Sequence, residues 1–167
     1  MKIRSWLGLS LMCSANCLLV LCLTEPAQAG TQWCWPISPH QMLRAFSPPP
    51  EPWLPGHRGI DLAAHPGQTV HSAGNGFVTY ASTLAGRGVV VIQHGMLHTT
   101  YEPVSASVSV GDFVLAGEVI GRLTPGLSHC SQIGRTTCLH WGLRRGFSYL
   151  NPLLLVGGYV RLLPVPD

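Results

Sequence analysis

Two stretches carry the residues whose types and spacing could do chemistry: His57-Arg58-Gly59-Ile60-Asp61 and, late in the chain, Cys138-Leu139-His140-Trp141. Two imidazoles and a carboxylate form a common catalytic zinc donor set, in which nitrogen and oxygen ligands converge on one ion as a tetrahedron. Pro55-Gly56 ahead of His57, and Gly59 inside the first stretch, argue against a helix there. A turn must instead bring His57 and Asp61 together as the chain enters a strand, with His140 arriving from a distant strand. A His and an Asp four apart are commonplace at surface turns. The elements that position them therefore decide what they mean.

The chain opens with Lys2 and Arg4, followed by a mostly apolar run from Trp6 to Leu23 and by Ala27-Gln28-Ala29. Positive start, apolar middle and small residues at the cleavage positions make a secretory signal, so residues 1–29 are expected to be removed on export. The apolar run is about 18 residues, barely enough to span a bilayer. Membrane attachment is expected only through an uncleaved leader. Cys13, Cys17 and Cys22 lack the small preceding residue of a lipid-attachment site.

At 167 residues the prior is one domain. The formal charge of +3 falls by one when Lys2, Arg4 and Glu25 leave with the leader. Such a balance argues against nucleic acid as a partner. Export places Cys34, Cys130 and Cys138 in an oxidising compartment, where a disulfide is expected and one cysteine is left over.

Residues 30–55 read as an irregular lead-in wrapped over the domain, because its many prolines remove backbone donors and fix φ. Trp33, Trp35 and Trp53 are expected to pin it down. The domain itself spans residues 56–155, leaving 156–167 as a tail. Short Val/Ile/Leu/Thr/Tyr runs such as Gly76–Ala81, Val89–Gln93, His98–Glu102 and Val119–Leu123 lie between closely spaced Gly turns. No long segment carries a 3.6-residue period. The reading is all-β, an antiparallel sheet or sandwich. Pro66-Gly67-Gln68-Thr69-Val70 with Gly76-Phe77-Val78 is echoed by Val110-Gly111-Asp112-Phe113-Val114 with Val119-Ile120-Gly121. The echo predicts two related hairpin units packed on each other, in a barrel-sandwich-like arrangement. Biotinyl and lipoyl carrier domains share that pattern but need a lysine at a hairpin tip, and the only lysine is Lys2.

Gly-His-Arg-Gly-Ile-Asp-Leu, the following Pro-Gly-x-x-Val-x-x-Ala-x-x-Gly-x-Val and the late Leu-His-Trp occur in order over about residues 56–153. Together they resemble the lysostaphin/LytM family of zinc endopeptidases. The resemblance implies zinc held by His57, Asp61 and His140, a groove in a sheet-rich domain, and peptidoglycan peptides as substrate. Two departures stand out. The family's late His-x-His has Cys138 in its first position, and its mid-domain Tyr-x-His reads Tyr101-Glu102-Pro103 here.

Both proton-handling histidines of the family are therefore replaced while the three ligands remain. Zinc acidifies bound water but does not hand a proton to a leaving amine, so another group must act. His129, just before the late motif, and Glu102 are the candidates. Strand alternation points Glu102 away from the Pro103 side, and His98 is a weaker third. His40, His65, His71 and His94 read as residues without a role in the site. Cys138 has two open readings, a disulfide with Cys130 or a thiolate ligand that would make the zinc structural. A domain that keeps the groove but has lost catalysis is the alternative to an enzyme.

Overall fold

The computed structural model describes residues 32–125, 130 and 137–157. Residues 1–31, His129 with its neighbours, and residues 158–167 lie outside them. Among the described residues eleven strands and one short helix follow in order: β1 Met42–Arg44, β2 Gly59–Ala63, β3 Thr69–His71, β4 Gly76–Leu84, β5 Arg87–His94, β6 Leu97–Glu102, β7 Val104–Ala106, β8 Phe113–Val114, β9 Val119–Leu123, β10 Cys138–Arg145, β11 Ser148–Leu150 and α1 Leu153–Val156. The all-β expectation holds. An eight-stranded antiparallel sheet in the order β1-β2-β10-β6-β5-β4-β8, with β11 on the end of β10, accompanies a three-stranded sheet β3-β9-β7. Among the described residues the sheets do not close into a barrel. No described helix is long and apolar enough to cross a membrane.

The two echoed segments interlock. The β3 strand of the first pairs with β9 of the second, Val70 facing Gly121. In return β4 of the first pairs with β8 of the second, Phe77 facing Phe113. The connecting backbones are bonded the same way, Ser72 N–H to Glu118 O in one place and Val78 N–H to Asp112 O in the other. Each half thus contributes one strand to each sheet, and neither half buries its apolar side alone.

Strand alternation sorts the residues into a core and a working face. On β10, Leu139, Trp141 and Leu143 point inward and are at most 2% exposed. Leu139 and Trp141 pack in one cluster with Ile60, Leu62, Val90, Ile92 and Tyr101, together with Val70, Val104, Ile120 and Leu123 of the small sheet and its surroundings. Trp141 is the largest of these fully buried side chains. Its replacement by alanine is expected to cost about 3–5 kcal/mol. Trp141→Phe should cost far less, because the indole N–H finds no partner among the described residues. Equal losses in the two urea-unfolding curves would show that the full indole, not merely an aromatic ring, is needed at this position.

The lead-in is less irregular than its prolines suggest. Met42–Arg44 pairs along β2, and Ser47 bridges His57 through two backbone hydrogen bonds of 2.7 and 3.0 Å. The prolines cluster after this strand, where no ladder donor is needed. Trp35 stacks on His40 at 4.2 Å and reaches Trp141 at 6.0 Å, while Trp33 meets His94 edge-on at 5.0 Å. Trp53 does not pin the segment: it is 78% exposed, on the proline-rich turn before His57.

A buried chain of hydrogen bonds joins β5, β6 and the β3–β4 link. His94 Nδ1–H donates to Asn75 O at 2.8 Å, which leaves Nε2 to accept from Thr99 Oγ1 at 2.7 Å. Tyr101 Oη lies 2.9 Å from Thr99 Oγ1 and accepts from Ala73 N–H at 2.8 Å. Burial pushes the Tyr101 phenol up to about 12. Burial also lowers His94 from 6.5, against the opposing pull of the Asn75 carbonyl, and repulsion from His98 lowers it further. Below about pH 6.5 the unfolded chain takes up a proton that folded His94 resists. Its contribution to stability is therefore complete above that pH and lost as pH falls through the folded value. Melting temperature should drop between pH 7.5 and 5, and the drop should shrink in His94→Gln. An identical pH slope in the variant would assign the effect elsewhere.

Candidate metal centre

His57 sits at the mouth of β2, fixed from both sides by its backbone bridge to Ser47. Its ring Nδ1 lies 2.7 Å from Ala45 O. A carbonyl only accepts, so Nδ1 carries a proton and Nε2 is the ring nitrogen turned inward. Nε2 lies 3.0 Å from Asp61 Oδ1 and 3.2 Å from His140 Nδ1, and His140 Nδ1 lies 2.9 Å from the same carboxylate oxygen. Asp61 and His140 face each other in register across β2 and β10, which puts both side chains on one face. Asp61 is fully buried, His57 4% exposed, and His140 13% exposed at its side chain.

Three electron-pair donors converging at these distances fit a cation. Ligand bonds of 2.0–2.1 Å in a tetrahedron place donor atoms about 3.3 Å apart. The observed triangle is within a few tenths of an ångström of that edge. Together His57, Asp61 and His140 form a group able to hold a metal. The Ala45 carbonyl is the kind of second partner that fixes a ligand histidine's tautomer. Gly59 is required by close approach: a Cβ there would lie 2.7 Å from His140 Nε2 and collide with the Trp141 carbonyl. The motif's glycine is a cradle for the second histidine.

Among the described residues the cysteines resolve into a Cys130–Cys138 disulfide and a free, half-buried Cys34. Both disulfide sulfurs lie within 4.8 Å of an Asp61 carboxylate oxygen. The thiolate-ligand reading of Cys138 is not the arrangement adopted. Cys34 donates to Ser72 O at 3.2 Å, and burial raises its thiol. The disulfide closes a loop with a separation of 8 residues, for which the chain-entropy account gives about 2–3 kcal/mol. Converting Cys130 and Cys138 to alanine together should lower the urea midpoint accordingly. An unchanged midpoint would mean that the bond contributes nothing to folding.

Glu102 stands in register with His140 across β6 and β10, so alternation turns it onto the same face as the candidate ligand. Arg87 Nε lies 3.4 Å from one of its carboxylate oxygens. Pro103, in the slot of the family's second histidine, is buried, and its carbonyl accepts from Thr124 N–H at 3.1 Å. His98 shares the Glu102 face but pairs with Arg144, about 13 Å along β6 from Glu102. It is remote from the donor triangle. His129 lies outside the described residues. Of the other histidines, His71 bonds to Gly117 O and His65 is exposed, each away from the site.

A cleft of about 230 Å³ opens beside His140, lined among others by Arg58, Thr100, Glu102, Gly142, Arg144 and Tyr149. No motif in the sequence pointed to Ala45, Arg87 or Arg144. Ala45 acts through its backbone, Arg87 sits in what reads as a glycine turn, and Arg144 is brought to the site only by the pairing of β10.

The sequence profile of peptidase family M23 matches residues 55–152. An uncharacterised protein of Mycobacterium tuberculosis is 42% identical over 160 residues, covering 89% of this chain and 63% of that relative. The chain therefore spans just under two-thirds of the relative's length. Among solved structures, Helicobacter pylori Csd3 superimposes with a TM-score of 0.59 at 30% identity, over 81% of this chain and 36% of that one. Lysostaphin superimposes with a TM-score of 0.58 at 24% identity, over 76% of this chain and 57% of its own, a likeness of fold. With its three-donor group inside the matched residues, and with more than half its length matched by the profile, the chain belongs to peptidase family M23.

Proposed function

We propose that this protein is an exported zinc-dependent endopeptidase that cleaves peptide bonds in peptidoglycan. The observation that carries the reading is the convergence of His57 Nε2, Asp61 Oδ1 and His140 Nδ1 within 3.2 Å of one another beside an open cleft. Two imidazoles and one carboxylate leave a fourth tetrahedral position open, the pattern of a catalytic rather than a structural zinc. Bound there, zinc supplies Lewis-acid polarisation of a carbonyl and an acidified water.

The chain's own residues supply the rest. Ala45 and the Ser47 bridge hold His57 in one tautomer and one orientation. Glu102, on the cleft wall across from His140, takes and returns the proton that the family's histidines would carry, and Arg87 steadies its carboxylate. His129 remains the other candidate for that task. Export rests on the leader in residues 1–29, and the substrate on membership of the family.

The Cys130–Cys138 disulfide and buried Pro103 occupy both histidine slots, and they favour a second reading: a cell-wall-binding or regulatory domain that keeps zinc without turnover. Dye release from labelled cell-wall sacculi by zinc-loaded residues 30–167 separates the two. Release abolished by chelator establishes the peptidase. Zinc bound and sacculi retained without release establishes the binding domain, and a folded chain that takes up no zinc overturns both.

A further inference from the structure

The cleft beside His140 has an unbalanced charge. Glu102 is matched by Arg87, while Arg58 and Arg144 have no carboxylate partner among the described residues. Instead they lean on carbonyls. Arg58 Nη2 donates to Pro52 O at 2.6 Å and Leu54 O at 3.2 Å, and its guanidinium lies over the Tyr149 ring at 5.6 Å. Arg144 donates from Nη1 to Gly146 O at 2.9 Å. These contacts fix where the two guanidinium groups stand without neutralising either. Arg58 spends both Nη2 hydrogens and keeps the single donor on Nε and the two on Nη1. Arg144 keeps its whole Nε–Nη2 edge, the edge that forms two parallel bonds to a carboxylate. The charge of Arg144 is already felt by its register partner: after burial, it is the second cause holding the His98 imidazole below its usual range.

We propose that this cleft selects peptides carrying a free carboxylate that lies along the cleft from the scissile bond, with Arg144, four residues along β10 from His140, as the bidentate partner and Arg58 as a fixed second cation. The inference rests on the reading of the site as a peptidase cleft and names its substrate class. Two fixed guanidinium groups lining the same cleft as His140, one of them four residues further along β10, match an anionic group on the substrate. An amidated or neutral peptide would leave two partly buried cations without a counter-charge. Tyr149, stacked under Arg58, is a positioning residue in this arrangement. The carboxylate could come from a side chain or from the C-terminus of the peptide, and the chemistry recognised is the same.

The test uses the zinc-loaded full mature chain and synthetic acetyl-Ala-γ-D-Glu-Lys-D-Ala-D-Ala. Forms amidated at the glutamyl carboxylate, at the C-terminus, or at both are compared by ligand-observed NMR titration. Charge-assisted pairing predicts that amidating the recognised carboxylate weakens binding about tenfold to a hundredfold. The preference should fall below about twofold in Arg144→Gln and return in part in Arg144→Lys, which restores charge but not the fork. Which single amidation has the effect identifies the source. Equal binding of the free and doubly amidated peptides, binding of neither, or full discrimination by Arg144→Gln overturns the proposal. Zinc content and sacculus cleavage are read separately, so a failure of carboxylate selection is distinct from a failure of the peptidase reading.

Discussion

Replacing Asp61 by alanine is expected to strip the chain of metal and of activity together. Asp61 Oδ1 is the shared vertex of the triangle, 3.0 Å from His57 and 2.9 Å from His140. Without it two neutral imidazoles remain, and the charge that balances a divalent ion is gone. Disturbing even an outer partner of a metal ligand typically costs tenfold to a hundredfold in affinity. Loss of the only anionic ligand should exceed that, to about a thousandfold or more. Metal content after dialysis should fall from about one ion per chain to a trace, and dye release should become undetectable. Because Asp61 is fully buried, the variant's folding is checked by circular dichroism, and Asp61→Asn serves as the isosteric control. A folded Asp61→Ala protein that keeps its zinc would remove His57-Asp61-His140 as the binding group.

Glu102→Gln should leave zinc content intact while lowering kcat by about 10²–10⁴, the usual contribution of a positioned acid–base group. The amide keeps the shape and the Cα register with His140, and it removes the charge that pairs with Arg87 together with the ability to take a proton. KM should change little, since the lost interaction belongs to proton transfer rather than to substrate holding. A reduction smaller than about threefold would move the role to His129. The same experiment on His129→Gln then decides whether proton transfer in this chain comes from the strand or from the segment before the late motif. If neither variant slows a cleaving enzyme, another residue has taken over from the two lost histidines.

Much of the site was legible because donor chemistry is local. His57 and Asp61 lie four apart around a glycine, and the strand at His140 ends in an alternating apolar run, Leu139, Trp141 and Leu143, that fixes which side the histidine faces. The all-β class followed from short β-branched runs between glycine turns for the same reason: period-two alternation and turn chemistry are properties of neighbouring residues. The Cys130–Cys138 pairing was expected from compartment and proximity in sequence, and it is formed.

Long-range pairing was not legible. Alternation alone sent Glu102 to the side opposite Pro103, but only the register of β6 on β10 revealed that this side is the one His140 occupies. Nothing in the proline-rich lead-in announced that Met42–Arg44 would line β2 and deliver the Ala45 carbonyl to His57, because strand pairing is decided by a partner with an open edge rather than by the segment's own composition. The internal echo predicted two related units, but not that each would give one strand to each sheet. Residue types and their local spacing thus pointed to the candidate donors His57, Asp61 and His140 and to the strand pattern. Which side chains share a face depended on register, which is set where distant strands bury their apolar sides against each other.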